Sequence, residues 1–191
     1  MGTKYTHKEF LISSLKSMGF NIKQNSVDSF QLNMSNRQIN DHSIKSKHKI
    51  SIQYIESKID ENHHVDSRNN TPIKAIGCFN FIIPTPNNSP DFFVFSFNNQ
   101  KDSNIEFIIL LHDELMRRLS KFTLKPGNEI QVVFWLLPNG KLFETTKISC
   151  EAEWYYLSGD GAMATGTDID YTEFLNNWES IKVKLASSAT S

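Results

Sequence analysis

Three short apolar runs in the middle of the chain constrain its fold more than any other feature. They cover Cys78 to Ile83, Asp91 to Phe97 and Ile105 to Leu111, and the proline-rich segment Pro84 to Pro90 separates the first two. Continuous apolar runs of this length are typical of strands that are covered on both faces. Each run is far shorter than the roughly 20 residues that a membrane-spanning helix needs. We therefore expect the central strands of a covered sheet, and no contact with a membrane.

The sequence before these runs predicts one helix followed by three strands. The Thr-x-x-Glu pattern of Thr6 to Glu9 lets the two side chains satisfy each other's backbone N–H groups at a helix start, and Gly19 is placed to end that helix. Apolar residues then alternate with polar ones in Phe20 to Ile22, Phe30 to Met34 and Ile50 to Tyr54. A period of two indicates strands.

The sequence after the runs predicts a helix, a hairpin and a last helix. Asp113 to Lys121 is expected to be helical, and Pro138-Asn139-Gly140 predicts a turn between two strands, Ile130 to Leu137 and Lys141 to Ile148. Asp170-Tyr171-Thr172 is placed to cap a final helix. The apolar residues expected on one face of that helix are Phe174, Leu175, Trp178 and Ile181.

These elements predict the fold class α/β (α+β), with a central mixed β-sheet flanked by helices and a C-terminal hairpin and helix. The hydrophobic content of 39% is ample for one packed core. We expect a single domain over residues 1–185 and a flexible tail over 186–191. The amino terminus is polar and the two cysteines lie far apart, so we expect reduced thiols and a cytoplasmic protein.

Charge is unevenly distributed along the chain. Residues 1–74 hold 11 Lys and Arg against 7 Asp and Glu, whereas residues 75–191 hold 9 against 14. The basic front part could meet phosphate, and a solvated polar surface explains it equally well. The densest basic segment is Lys45 to Lys49, in a polar stretch between the second and third predicted strands.

The order of helix, three strands, further strand and helix between Thr6 and Lys121 resembles the PD-(D/E)XK nuclease superfamily, whose fold is called restriction-endonuclease-like. The resemblance implies a carboxylate on the second core strand and a Glu-x-Lys or Gln-x-Lys on the third. It also implies that the carboxylates hold Mg²⁺ while the lysine helps to activate water. Hard Mg²⁺ prefers oxygen ligands, and alternate residues of a strand share one face.

Three residues of this chain match that pattern. Asp28 begins the second strand, and Glu56-Ser57-Lys58 ends the third. The resemblance therefore implies Asp28, Glu56 and Lys58 as catalytic residues, with Asp28 and Glu56 as the Mg²⁺ ligands. Lys45, Lys47 and Lys49 would contact the nucleic-acid backbone.

The sequence leaves alternatives to this site open. Matching the third strand by its hydrophobic pattern puts Gln53-Tyr54-Ile55 in the Gln-x-Lys position, so that Ile55 replaces the lysine and the site would be inactive. Asp41 is another possible carboxylate, although it lies in a polar loop. Pro90-Asp91 reads better as the start of a strand.

Other patterns are weaker. His63-His64 with the nearby acids Asp60, Glu61 and Asp66 could bind a metal adventitiously, because the two histidines lack helical spacing. The glycine-rich stretch Gly159 to Gly166 lacks a phosphate-binding ending and reads as a loop.

We expect a nucleic-acid-associated protein, either a Mg²⁺-dependent nuclease or a relative that has lost catalysis. The alternative is a non-enzymatic interaction protein that binds a protein partner through its acidic, aromatic carboxy-terminal region. The aromatic residues of that region are Trp154, Tyr155, Tyr156, Tyr171 and Trp178.

Overall fold

A computed structural model describes residues 6–34, 49–58, 74–99, 104–122, 124–145 and 169–188. These residues form three helices and eight strands, an α+β fold as the sequence predicts. In chain order the elements are α1 (His7–Ser17), β1 (Phe20–Ser26), β2 (Ser29–Met34), β3 (Ile50–Glu56), β4 (Ala75–Ile82), β5 (Phe92–Asn99), β6 (Asn104–Leu111), α2 (His112–Arg118), β7 (Glu129–Leu136), β8 (Leu142–Glu144) and α3 (Glu179–Ser188).

The central sheet has five strands in the order β1-β2-β3-β5-β6. It is mixed, because β3 and β5 are parallel while the other neighbours are antiparallel. A second, antiparallel sheet has the order β4-β7-β8. The central mixed sheet is therefore confirmed.

The central sheet is covered on both faces. Leu11 and Leu15 of α1 and Ile181 of α3 belong to the cluster on one face, and the second sheet packs on the other. Every residue from Phe92 to Phe97 is fully buried, with 0% of its surface exposed. The prediction of a strand covered on both faces is confirmed for β5.

The first apolar run behaves differently. Its strand, β4, lies in the second sheet, where burial alternates along the strand. Phe79 and Phe81 face the central sheet, while Asn80 between them is only half-buried. The prediction of cover on both faces is wrong for this strand, because an outer sheet has only one face against the core.

The two ends of α1 form as the sequence predicts. The hydroxyl of Thr6 accepts a hydrogen bond from the backbone N–H of Glu9 at 3.2 Å, and the Glu9 carboxylate accepts one from the backbone N–H of Thr6 at 2.8 Å. Gly19 has a φ of 90°, the left-handed conformation that glycine adopts without steric cost. The capping bonds fix where α1 begins, and Gly19 lets the chain turn away after the helix ends.

The last helix begins later than predicted. Thr172–Phe174 form a short 3₁₀ turn, and α3 starts only at Glu179. Asn176 interrupts the helix with a φ of 52°, while its backbone and side chain bond the backbone of Phe107 in β6. The predicted start at Asp170 is wrong, because this segment pairs with a strand edge instead. The helix continues to Ser188, into the segment predicted as a flexible tail.

A buried arginine holds the carboxy-terminal segment against α2. Only 4% of the Arg118 side chain is exposed, and it donates to Glu114 at 2.6 Å, to the backbone oxygen of Asp170 at 2.6 Å and to Glu173 at 2.9 Å. Its guanidinium also lies over the Tyr171 ring.

Along the described chain, no helix is long and apolar enough to cross a membrane.

We predict that Gly77→Ala destabilises the protein by about 1–3 kcal/mol, because it overfills the core. A Cβ atom at Gly77 would lie 2.6 Å from Cζ of Phe79 and 3.3 Å from Cγ of Phe97. Urea unfolding measures the change. The same substitution in a Phe79→Leu background should cost less, and an equal cost in both backgrounds would contradict the proposed clash.

We also predict an acid-dependent contribution from Glu114. Hydrogen bonds from Arg117 and then Arg118 lower the pKa of this carboxyl from 4.5 to about 2. A lowered folded-state pKa stabilises the fold above about pH 4.5, and the contribution is lost as the pH falls towards 2. Glu114→Gln should therefore cost about 1–2 kcal/mol at pH 6 and much less at pH 2.

The measurement is the free energy of unfolding of parent and variant across this pH range. Glu129→Gln, at the exposed start of β7, serves as the control. A Glu114→Gln cost that does not change with pH would contradict the prediction.

Candidate functional site

Polar side chains gather at the carboxyl ends of the two parallel strands. Glu56 of β3 stands beside Ser96 of β5 in the parallel register, and the amino end of α1 brings His7 onto both. In open sheets, ligand sites commonly lie at the carboxyl ends of parallel strands. We call this group the His7 network; it consists of His7, Tyr54, Glu56, Ser96 and Asn98.

Hydrogen bonds connect the network across three elements. Nδ1 of His7 lies 3.2 Å from Oγ of Ser96, and Nε2 lies 2.7 Å from Oδ1 of Asn98. The Tyr54 hydroxyl lies 2.8 Å from Oγ of Ser96 and 3.2 Å from Oε2 of Glu56. Oε1 of Glu56 is 3.6 Å from Nδ1 of His7. The network therefore joins α1 to both parallel strands.

Burial differs sharply within the network. Ser96 is fully buried and only 12% of the His7 side chain is exposed, whereas half of the Glu56 side chain is exposed. Burial raises the pKa of Tyr54 well above its ordinary value, and the negative charges of Glu56 and Asp28 raise it further. The phenol is therefore protonated at neutral pH and acts as a hydrogen-bond donor.

The structure brings Asp28 and Glu56 to the same face of the central sheet. Asp28 ends the turn before β2, and its backbone oxygen accepts a 2.8 Å hydrogen bond from the backbone N–H of Tyr54. Opposite residues of an antiparallel pair share a face, and so do Tyr54 and Glu56 two residues apart. The negative charges of both carboxylates also raise the pKa of the Tyr54 hydroxyl.

Lys58 leaves this strand. β3 ends at Glu56, and the backbone N–H of Lys58 donates to the backbone oxygen of Cys78 in β4 at 2.9 Å. The positive charge of Lys58 lowers the pKa of the Cys78 thiol. Burial has the larger effect and raises it, so the pKa of the thiol lies above its ordinary value. A spacing of two places Glu56 and Lys58 on one face only while the strand continues, and here it has ended.

Ile55, the residue that replaces the lysine in the alternative alignment, is a core residue. It is 8% exposed and belongs to the apolar cluster between the two sheets, together with Phe93 and Phe95. Position 55 therefore offers neither charge nor access to solvent.

The other predicted site residues fall in different places. Lys49 is exposed directly before β3, at the opposite end from Glu56 and about 20 Å away along the strand. Lys45, Lys47, Asp41, the His63-His64 segment and the glycine-rich stretch lie outside the described residues.

Asp91 has a structural role. Its carboxylate accepts hydrogen bonds from the backbone N–H and the hydroxyl of Ser51, both at 2.8 Å, and its backbone oxygen accepts one from His112. These bonds join the starts of β3 and β5 to the end of β6. The interpretation of Asp91 as a strand-start residue is confirmed.

The donor set at the His7 network does not fit a bound Mg²⁺. Within the described ranges, no three His, Cys, Asp or Glu side chains gather closely enough to hold a metal ion. The Glu56 carboxylate is already in contact with the Tyr54 hydroxyl and the His7 ring. Mg²⁺ needs carboxylate oxygens among its ligands, and Glu56, the carboxylate of this network, already uses both of its oxygens in contacts with other side chains.

Sequence reasoning missed His7, Tyr54, Ser96 and Asn98. One signal was present: Ser96 is the only polar residue within an otherwise apolar stretch, Phe92 to Phe97. A hydroxyl buried there needs a partner. Nothing in the sequence pointed to His7 as that partner, because its position in the helix cap explained it fully.

Two of the carboxy-terminal aromatic residues are part of the core. Tyr171 is fully buried, and Trp178 packs against Phe107 with ring centroids 5.1 Å apart. The segment Trp154 to Tyr156 lies outside the described residues. A surface for a protein partner could therefore not use Tyr171.

Comparisons with protein-family models, with curated proteins and with solved structures find no match to this chain.

Proposed function

We propose that this protein binds nucleic acid in the cytoplasm through the basic segment Lys45 to Lys49, and that it is a non-hydrolysing relative of the restriction-endonuclease-like nucleases. The observation that carries the proposal is Ile55, a buried apolar residue at the position where the alternative alignment requires lysine. A core side chain at that position cannot activate water.

Charge supports the binding half of the proposal. Lys49 is exposed, and it ends a segment with three lysines within five residues. Asp28 and Glu56 lie at the opposite end of β3 from Lys49, and the nearer Asp91 carboxylate is occupied by hydrogen bonds from Ser51. Lysines in such a segment bind phosphate with little dependence on base sequence.

The end of β3 supports the non-hydrolysing half. Lys58 is carried towards Cys78 of the second sheet, away from the strand that presents Glu56. The two lysine positions that the sequence allows, 55 and 58, are thus a core residue and a residue beyond the strand. At neither position does the regular geometry of β3 place a lysine beside Glu56.

We predict that replacing Lys45, Lys47 and Lys49 with Ala weakens binding to duplex DNA and flattens its salt dependence. Each phosphate contact contributes a slope of about 0.9 in log K against log salt, so the slope should fall by about 2.7. Fluorescence anisotropy at several salt concentrations measures it.

The control removes three exposed lysines from the acidic part of the chain: Lys125, Lys141 and Lys182. This variant has the same net charge as the first, and its salt dependence should match the parent's. Equal losses in both variants would show that only net charge matters. No salt-dependent binding by the parent would reject the proposal and favour the protein-partner alternative.

A Mg²⁺-dependent nuclease is the second candidate. It is favoured by the common face of Asp28 and Glu56 and by their joint effect on Tyr54. The unfavourable donor set and the departure of Lys58 place it second.

We predict that the parent protein cleaves neither DNA nor RNA above background in Mg²⁺ or Mn²⁺. Glu56→Ala and Lys58→Ala are assayed beside it, with Lys125→Ala as the control for contaminating nuclease. Cleavage by the parent and the control that both site variants abolish would establish the second candidate. Cleavage that survives both substitutions would exclude this site.

A further inference from the structure

The side chains of the His7 network satisfy one another's hydrogen bonds at the carboxyl ends of β3 and β5, without a cation. Oδ1 of Asn98 can only accept, so Nε2 of His7 carries the proton of the 2.7 Å bond between them. In neutral imidazole Nδ1 then accepts, and the neighbour able to donate at 3.2 Å is the Ser96 hydroxyl. The Tyr54 hydroxyl has one proton and donates it to the Glu56 carboxylate at 3.2 Å, while its oxygen lies 2.8 Å from the Ser96 hydroxyl.

These bonds form a chain in which each proton has an acceptor: the Tyr54 proton goes to Glu56, the Ser96 proton to His7 and the His7 proton to Asn98. With the contact between Tyr54 and Ser96, the chain crosses from β3 through β5 to α1 and back to β5. The buried Ser96 hydroxyl is satisfied within this chain. Burying a hydroxyl is costly only when its hydrogen bond is missing.

We infer that this hydrogen-bonded network takes the place of a metal ion, so that the network, and no divalent cation, holds the amino end of α1 on the parallel strands. His7 is thus a positioning residue. The inference deepens the proposed function and rests on its non-hydrolysing half, but it concerns the chain without nucleic acid.

Thermal unfolding in EDTA and in millimolar Mg²⁺ or Mn²⁺ tests the metal part of the inference. We expect the same Tm in all three conditions. A cation that binds only the folded protein and is present at a concentration of 100 times its Kd would raise the Tm by roughly 5–10 °C. A saturable rise that disappears in Glu56→Gln would overturn the inference.

Substitutions in EDTA test the network part. Tyr54→Phe removes one hydroxyl, His7→Gln removes the ring, and each should lower the Tm by roughly 2–8 °C. The double variant should lose less than the sum of the single losses, because both residues act through Ser96. Ser13→Ala, on the exposed side of α1, is the control and should not lower the Tm, because Ala favours a helix at least as much as Ser.

An unchanged Tm in Tyr54→Phe, or fully additive losses, would overturn the network. Should His7→Gln not fold, Tyr54→Phe still decides. Failure of the proposed function is separately visible, since DNA binding by Tyr54→Phe should equal that of the parent. Loss of DNA binding in the parent would leave these Tm results untouched.

Discussion

The structure depends above all on the burial of β5 between two apolar layers. Phe93 and Phe95 pack towards the second sheet, while Phe92 and Val94 pack towards the helices. A strand closed on both faces tolerates a polar residue only where its hydrogen bonds are made inside the protein. Ser96 is that residue, and its need for partners explains why a tyrosine, a histidine and the start of a helix meet there.

The carboxy-terminal segment solves a second problem, the open edges of the two sheets. It pairs with β8 through Tyr171 and Leu142, crosses α2, and then pairs with β6 through Asn176. Unpaired strand edges invite pairing with other chains. Arg118 holds the middle of this crossing, and because its charge is buried it requires the oxygens that the segment and α2 supply.

Local patterns were sufficient for the parts of the fold that local physics decides. The capping pattern of Thr6 to Glu9 and the alternation of Phe30 to Met34 each specify one element without help from the rest of the chain. The membership of β4 in a second sheet was not predictable, because an apolar run reads alike in a central strand and in an outer one. The late start of α3 was not predictable either, because Asn176 interrupts the helix to bond Phe107, 69 residues away in the sequence. Asp28 and Glu56 both act on Tyr54, whereas the bond between Lys58 and Cys78 is a contact between sheets that spacing along one strand does not predict.

The two ends of β3 carry different charged side chains: Asp28 and Glu56 lie at the carboxyl end, and Lys49 and Asp91 lie at the amino end. Asp28 and Glu56 at the carboxyl end would repel a phosphate backbone unless a cation lay between them and it. The network engages Glu56, and Lys58, the nearest compensating charge along the chain, is directed to the second sheet. At the amino end, Lys49 is exposed directly before the strand, and the Asp91 carboxylate nearby accepts hydrogen bonds from Ser51. Under the proposed function, a phosphate backbone would meet Lys49 at the amino end of β3, away from the carboxyl end where hydrolysis would have to occur.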